Sequence, residues 1–350
     1  MSNTIEDYTT HFNSAEDFLE KLNPTKEPWL RKRQAEQGDI GEEYEVIPDY
    51  WIFRGQPLDI DPGLKPSALR NDTSSSDLSK NCIRYKKNYL RRKLEKGNAE
   101  EAIYENRLQV GAEFDLLRDF CKAADWQGRK LPRYTTEFRD RLLGVTVRAA
   151  LMKIENPCPW PNKNYFELLA LAQHYEVPTR LLDWTEKSYI AAYFAAEMAA
   201  QSEYNPKHGE VKVVVWALNT RFIKKFPYGI SIEIINPIRA NNPNLAAQRG
   251  LFTLVTDSEI MSLDKILCLF DKDKLKNEIK DIKDSLKNEM ESMIDDGIIK
   301  KFTLARGKAG ILLQLLYEIG YHSGTLKPSL SGAAGWAKER TLWPDHPKQS

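Results

Sequence analysis

Residues 168–197 read LLALAQHYEVPTRLLDWTEKSYIAAYFAAE. Two apolar helices, one carrying Leu168, Leu169 and Ala172 and the other Ala191, Ala192, Phe194 and Ala195, flank a short polar strand from Thr179 to Thr185. Helices this apolar belong in a core, yet Gln173, His174, Thr179, Arg180, Asp183 and Thr185 are crowded between them. Buried polar groups cost free energy unless they are hydrogen-bonded. Either these residues satisfy one another in a buried corner, or they line a site for a ligand. In an extended segment alternate residues share a face. Thr179, Leu181 and Asp183 therefore fall on one side and Arg180, Leu182 and Trp184 on the other. Arg180 and Asp183 are not expected to pair; one of them faces a cleft while the other anchors the scaffold. Thr185 has Ser188 three residues on, so it is read either as a helix cap or as a site residue.

The rest of the chain supplies strands and helices in an α+β mix. Ser14 is a plausible N-cap for a helix over 14–22. The run YWIFRGQ, 50–56, is a strand, and Pro57, Pro62, Gly63 and Pro66 make the next segment a loop. Residues 72–77 are polar linker. Residues 82–96 form a helix with seven basic residues against one acid, read either as a solvated face or as a phosphate-contacting surface. Apolar spacing over 99–124 predicts a long helix broken near Gly111, and 137–154 is also read as helical. NPCPWP, 156–161, is a turn, after which Asn164 caps the next helix. GEVKVVVWAL, 209–218, shows little alternation and is read as a central strand; GLFTLVTD, 250–257, is another. Lysine-rich 270–302 reads as an exposed helix pair, and 309–321 as an apolar helix ending near Gly320. This divides the chain into an N-terminal helical segment (1–45), a core (46–262) with a helical insertion at 80–155, and a C-terminal helical region (263–350) packed on the core.

Composition sets limits. Hydrophobic residues make up 41% of the 350, and charged residues 29%, which suits a packed core and excludes global disorder. Fifty-one basic side chains balance fifty acidic ones, for a net charge of +1, so any nucleic-acid role must rest on a local patch. Cys82, Cys121, Cys158 and Cys268 lie far apart without zinc-site spacing. The absence of a signal-like leader or a long apolar run points to a soluble, cytoplasmic protein. No carboxylate cluster has metal-site spacing, which weakens a nuclease reading.

WIFRGQ, then LKPSALR, then LALAQHYEVPTRLLDWTEKSYIAAYFAAE, then AAQRGLFT together resemble the FRG-domain family, named for its Phe-Arg-Gly tripeptide. The tail ILLQLLYEIGYHSGTLKPSLSG is similar to that family's closing helix and Pro-x-Leu-x-Gly turn. The same residues also resemble the core of ADP-ribosyltransferases of the Arg–Ser–Glu class, with a split mixed sheet. In that class an Arg on the first strand holds dinucleotide phosphates, a Ser-Thr-Ser strand supports the nicotinamide pocket, and a Glu on a later strand supports the transition state.

The resemblance implies that NAD is a substrate and that no metal is needed. Arg54 becomes the phosphate arginine, and Asp183, Trp184 and Thr185 stand for Ser-Thr-Ser. Gln248 and Gly250 stand where the Glu-x-Glu pair precedes its strand, so the supposed catalytic Glu is a glycine. Arg54, Asp183, Gln248 and His174 are the candidates for the chemistry. Arg54, Gly55, Gln56, Thr179, Arg180 and Thr185 are the candidates for holding NAD. Guanidinium suits a diphosphate because it offers a planar fork and keeps its proton; the alternative for Arg54 is an internal salt bridge. His174 is either a site group or an ordinary hydrogen-bonding histidine. Tyr50, Trp51 and Phe53 either stack on a base or pack in the core.

Two functions follow as expectations. One is a transferase acting as a bacterial toxin or phage-defence effector on a nucleic-acid or protein acceptor, with a neutralising antitoxin-like partner. The basic stretches at 84–96 and 270–301 would suit a nucleic-acid acceptor. The other is a non-catalytic nucleotide-binding or recognition module that lost the catalytic Glu. The transferase reading requires a guanidinium free to meet a diphosphate.

Overall fold

The computed structural model describes residues 8–29, 51–58, 63–70, 81–93, 101–144, 160–202, 211–225, 232–256 and 297–344, apart from Glu27 and Asn241, with scattered positions between 263 and 295. Seven strands form one mixed sheet: β1 (Thr9–Phe12), β2 (Trp51–Leu58), β3 (Leu181–Thr185), β4 (Val211–Asn219), β5 (Ile232–Ile235), β6 (Gly250–Val255) and β7 (Ile299–Ala305). Their order is β1-β7-β4-β2-β3-β6-β5. The β1–β7 pair is parallel and the other pairs are antiparallel. The helices are α1 (Ala15–Lys21), α2 (Cys82–Lys93), α3 (Glu101–Trp126), α4 (Thr136–Gly144), α5 (Phe166–His174), α6 (Ser188–Gln201), α7 (Thr220–Lys225), α8 (Pro243–Ala247), α9 (Ala309–Glu318), α10 (Ser323–Leu326) and α11 (Leu330–Glu339).

The α+β class stands, and the sheet draws strands from all three of the stretches marked out in the sequence. β1 and β7 belong to the same sheet as the core strands, so the chain before residue 46 and the chain after residue 263 both help to build it. β7 falls partly inside the stretch read as an exposed helix pair, most of which lies outside the described residues. Lys300 and Lys301 gave that stretch its helical, solvated look. In the strand Lys300 Nζ sits 5.5 Å from the centre of the Trp51 ring, and Lys301 Nζ sits 5.2 Å from that of Trp216. A long apolar stem with its cation over a ring is compatible with burial.

Other local expectations are refined. Ser14 caps α1, accepting a hydrogen bond from the Asp17 N–H at 3.1 Å. α3 runs unbroken through Gly111, because tertiary packing outweighs the intrinsic cost of a helical glycine. Asn162, not Asn164, supplies the capping side chain, and it caps a single 3₁₀ turn ahead of α5. α9 ends as expected: Gly320 adopts φ +88° and the Tyr321 N–H closes on Leu316 O at 2.8 Å. The helix at 137–154 is seen as α4; residues 145–159 lie outside the described residues.

Most of the sheet is tightly laddered, but β2 and β3 are joined at a single register position, Phe53 opposite Thr185. By contrast β2 pairs with β4 from Trp51 to Leu58, and β3 pairs with β6 along its whole length. The sheet is therefore split between β2 and β3. α6 covers one face of β2 and β4, and its alanines (Ala191, Ala192, Ala195, Ala196) allow close approach. The approach is closest at Gly55, where a Cβ would lie 2.0 Å from Ala191 O and 2.9 Å from Ala195 N. Glycine is thus required there by the helix backbone behind the strand rather than by closeness to a ligand.

Gly55→Ala should force α6 off the sheet and cost about 1–3 kcal/mol or more, as overpacking does. Chemical denaturation reads this directly, and an unchanged midpoint would contradict the packing at that crossing.

Candidate functional site

The split between β2 and β3 opens a cleft, and Arg54 spans it. Its Nη1 donates to the Asp183 carbonyl at 2.9 Å and pairs with Asp183 Oδ1 at 2.6 Å. The guanidinium thus stands in for ladder hydrogen bonds that the two strands do not make. Arg54 is only 8% exposed, whereas the Asp183 side chain is 65% exposed. Arg54 Nε is buried with no hydrogen-bond partner among the described residues. Desolvation pushes the Asp183 carboxyl up, but the Arg54 guanidinium, by charge and by hydrogen bond, outweighs it and holds the group below its usual range.

Two cavities flank this pair and share Arg54, Gln173 and Asp183 as a common wall. The smaller, about 240 Å³, is completed by Ser67, Arg70 and Glu176, with Val177, Leu181 and Leu182. The larger, about 340 Å³, is polar at His174, Thr185 and Gln248 and apolar at Phe53, Phe194, Leu245 and Phe252. The three segments singled out in the sequence, around Arg54, around Asp183 and around Gln248, therefore do converge on one cleft.

Each polar residue has an identifiable local role. Gln173 donates to Asp183 Oδ1 at 3.4 Å and accepts from the Thr179 hydroxyl. Thr185 Oγ1 donates to Gln248 O at 2.7 Å and accepts from the Lys187 N–H at 3.2 Å, so it ties the strand end to the loop before β6 instead of capping α6. The Gln248 amide donates to Leu326 O at 3.1 Å, fastening the cleft to the C-terminal segment. His174, exposed at the end of α5, lies edge-on to Tyr175 with ring centres 5.1 Å apart.

Three expected ligand-holding residues line neither cavity. Arg180 is 7% exposed and forms a two-pronged pair with Glu113 of α3, Nε to Oε2 at 2.6 Å and Nη2 to Oε1 at 3.0 Å. Its Nη1 also donates to Trp160 O at 3.1 Å. Arg180 is thus the anchor, and Asp183 faces the cleft. Thr179, 2% exposed, is a buried junction: its N–H donates to Ser67 Oγ and its carbonyl accepts from both Ser67 Oγ and the Ala68 N–H. Gln56 is buried on β2 beside Val214. Trp51 and Phe53 belong to the core under α6, although Phe53 also reaches the larger cavity. Tyr50 lies outside the described residues.

Arg70 and Ser67 are the site residues that composition and spacing did not reveal. LKPSALR forms a 3₁₀ turn over Ser67–Leu69. It is clamped to the start of β3 by the Ser67–Thr179 bonds and to α3 by Gln109 Nε2, which donates to Ala68 O at 2.9 Å and to Glu113 Oε1 at 2.8 Å. The turn delivers Arg70 to the cavity with its Nε donating to Lys65 O at 2.9 Å. Arg70 is exposed; partial desolvation, then the neighbouring Arg54, lower its pKa, and Asp183 raises it. Arg54 and Arg70 thus line the same small cavity as Asp183, with Glu176 at the exposed rim. Glu176 follows α5 at φ +62°, where the Val177 N–H closes on Ala172 O at 3.0 Å, a left-handed position that favours glycine.

An α+β protein with a polar cleft in a split sheet is the class that fold and site define. A family model of the FRG domain matches residues 122–204, which supports the FRG-domain family. The match takes in β3, α5 and α6 but stops short of Arg54, Ser67 and Arg70, which lie earlier in the chain. No curated protein and no solved structure matches. Among the described residues no group of His, Cys, Asp and Glu could hold a metal ion, and no helix is long and apolar enough to cross a membrane.

Arg180→Ala should leave Glu113 buried without its cation, at a cost of about 3–5 kcal/mol. A paired Arg180→Met/Glu113→Leu variant should recover most of that in equilibrium unfolding. If the single and double variants lose equal stability, the pair is not what holds α3 to β3. Asp183 has a depressed pKa, so its stabilising contribution is full above the usual 3.8 and is lost as the pH falls through the lower folded-state value. The difference in melting temperature between the protein and Asp183→Asn should therefore be present at neutral pH and close in that acid range. A difference that persists there would show that the carboxylate is not paired with Arg54.

Proposed function

We propose that the β2–β3 cleft binds an NAD-type dinucleotide, with its diphosphate against Arg54 and Arg70 and its nicotinamide riboside end in the larger cavity. The observation that carries this is that Arg54 and Arg70 line one small cavity beside Asp183, with Arg54 Nε buried and without a hydrogen-bond partner among the described residues. A diphosphate offers bidentate acceptors for such a pair. The larger cavity adds apolar walls and a few convergent polar groups, at the small end of the roughly 300–1,000 Å³ usual for ligand pockets. Consecutive strands carrying Arg54, Asp183–Thr185 and Gly250 agree with the arrangement that the resemblance to ADP-ribosyltransferases implies.

Binding, rather than transfer, is the reading that the geometry supports best. The Arg54 guanidinium is engaged by Asp183 and is not free as the transferase reading requires. Gly250 provides no carboxylate, and the Gln248 amide is directed to Leu326 O. A specific observation favours transfer as the second reading. Asp183 is the only carboxylate among the described residues lining the larger cavity, and it is ionised and exposed. Phosphates that took over Arg54 would release this carboxylate beside the ribose, where it would stabilise an oxocarbenium-like transition state. The toxin or defence setting, and a neutralising partner, belong to that second reading.

Calorimetric titration with NAD and with ADP-ribose tests the proposal. Binding should be saturable and should weaken about tenfold or more in Arg70→Ala, since hydrogen bonds to charged groups contribute about 1.5–3 kcal/mol, with little change in the melting temperature. Absence of binding, or equal binding by the variant, would overturn it. Nicotinamide release that disappears in Asp183→Asn would establish the second reading; binding without release would establish the first.

A further inference from the structure

A third and larger hollow, about 940 Å³, adjoins the cleft and shares Ala170, Asn242 and Leu245 with it. It runs between the end of α3 with its following loop, one side of α5, and the 237–245 segment. Its charged lining is uneven: Arg129, Lys130 and Arg133 on one wall against Glu167 alone. All three cations are exposed, and none forms an ion pair with a described residue. Glu167 is partly committed, since its Oε2 accepts the Ile238 N–H at 3.3 Å. The other walls are apolar and aromatic, with Phe120, Leu171, Tyr175 and Ile238, and both Tyr175 and Ile238 are 65% exposed. Tyr175 is braced by Phe120 on one side and His174 on the other, with ring centres 6.3 and 5.1 Å away.

We propose that this groove binds single-stranded nucleic acid. A file of unpaired cations beside an exposed, braced aromatic ring is the combination that tracks a phosphate backbone while a base stacks. Charge complementarity favours a polyanion over a neutral peptide, and the exposed Tyr175 ring favours an unpaired strand, whose bases are free to stack on it, over a duplex.

The basic helix α2, which composition singled out for this role, is a poorer candidate. Lys86 pairs with Asp115 and Asp119, Lys87 pairs with Glu105 at 3.1 Å, and Arg91 pairs with Glu105 at 2.6 Å. The acids of α3 have already taken up much of that charge. The assignment to the groove stands independently of the dinucleotide reading, since none of its three cations lines either cleft cavity.

Fluorescence anisotropy of the full chain with a labelled oligouridylate of about 15 nucleotides, close to the largest site sizes of single-strand binders, tests the assignment without NAD. The protein should bind the oligonucleotide, and raising the salt should weaken binding. Replacing Arg129, Lys130 and Arg133 together by Ala should weaken it at least about tenfold and flatten the log–log salt slope by about two, at roughly 0.7 per cation. Tyr175→Ala should cost about fivefold or more, while Tyr175→Phe keeps near-parental affinity, since stacking needs only the ring. All variants are surface changes whose folding is checked by thermal melting; should the triple variant melt early, Arg129→Glu/Lys130→Glu replaces it. No binding, binding indifferent to the cations, equal binding of a hairpin duplex, or equal displacement by polyglutamate would each overturn the assignment.

Discussion

The seam between β2 and β3 is closed by one register pair and one side chain. On either side of it the strands form longer ladders: β1, β7, β4 and β2 on one flank, β3, β6 and β5 on the other. Where the strands part, backbone groups need partners other than a ladder, because unsatisfied buried polar groups are costly. Arg54 answers part of that need by reaching across to the carbonyl and carboxylate of Asp183. The same reach makes the cleft, because the guanidinium floors one cavity and walls the other. Architecture and candidate chemistry here rest on the same ion pair, and this is why Arg54 is both structural and available to a ligand that competes for it.

The cleft is held open by rigid elements on all sides. Behind it α6 lies directly on Gly55, and α6 is in turn fixed by a buried network in which the Tyr193 hydroxyl lies within hydrogen-bonding distance of both Glu197 and Glu339 while Lys327 pairs with Glu197. On the other side the Glu113–Arg180 pair joins α3 to the start of β3 and, through Gln109, to the turn that carries Arg70. Buried charges of this kind contribute little net stability against an apolar substitute, yet breaking one is expensive. They fix geometry more than they add stability.

Some of this was legible in the sequence because contrast is legible. A polar strand between two apolar helices stands out, and β3, α5 and α6 lie close to where the pattern put them. Arg54, Asp183 and Gln248 were each visible as candidates. That Arg54 and Asp183 bind each other was not, since the partners are 129 positions apart. Glu113 was hidden for the same reason: in the sequence it is one more acid on an amphipathic helix. β7 escaped because Lys300 and Lys301 mimic a solvated helix unless Trp51 and Trp216 are known to lie beneath them. Arg70 lay inside a quoted motif, but what makes it a site residue is a turn clamped by Thr179 and Gln109, contacts that only the fold supplies.

The parallel pairing of β1 with β7 joins Thr9 to Lys301. Strands some 292 positions apart cannot pair until the second has been made, and non-local strand pairing is intrinsically slow. During translation β4 would therefore expose the edge that β7 later covers until residues 299–305 have left the ribosome. The later-made β7 thus shields a strand whose residues are almost entirely buried in the finished molecule. An interrupted polypeptide ending before that point would carry an open, hydrophobic strand edge prone to association.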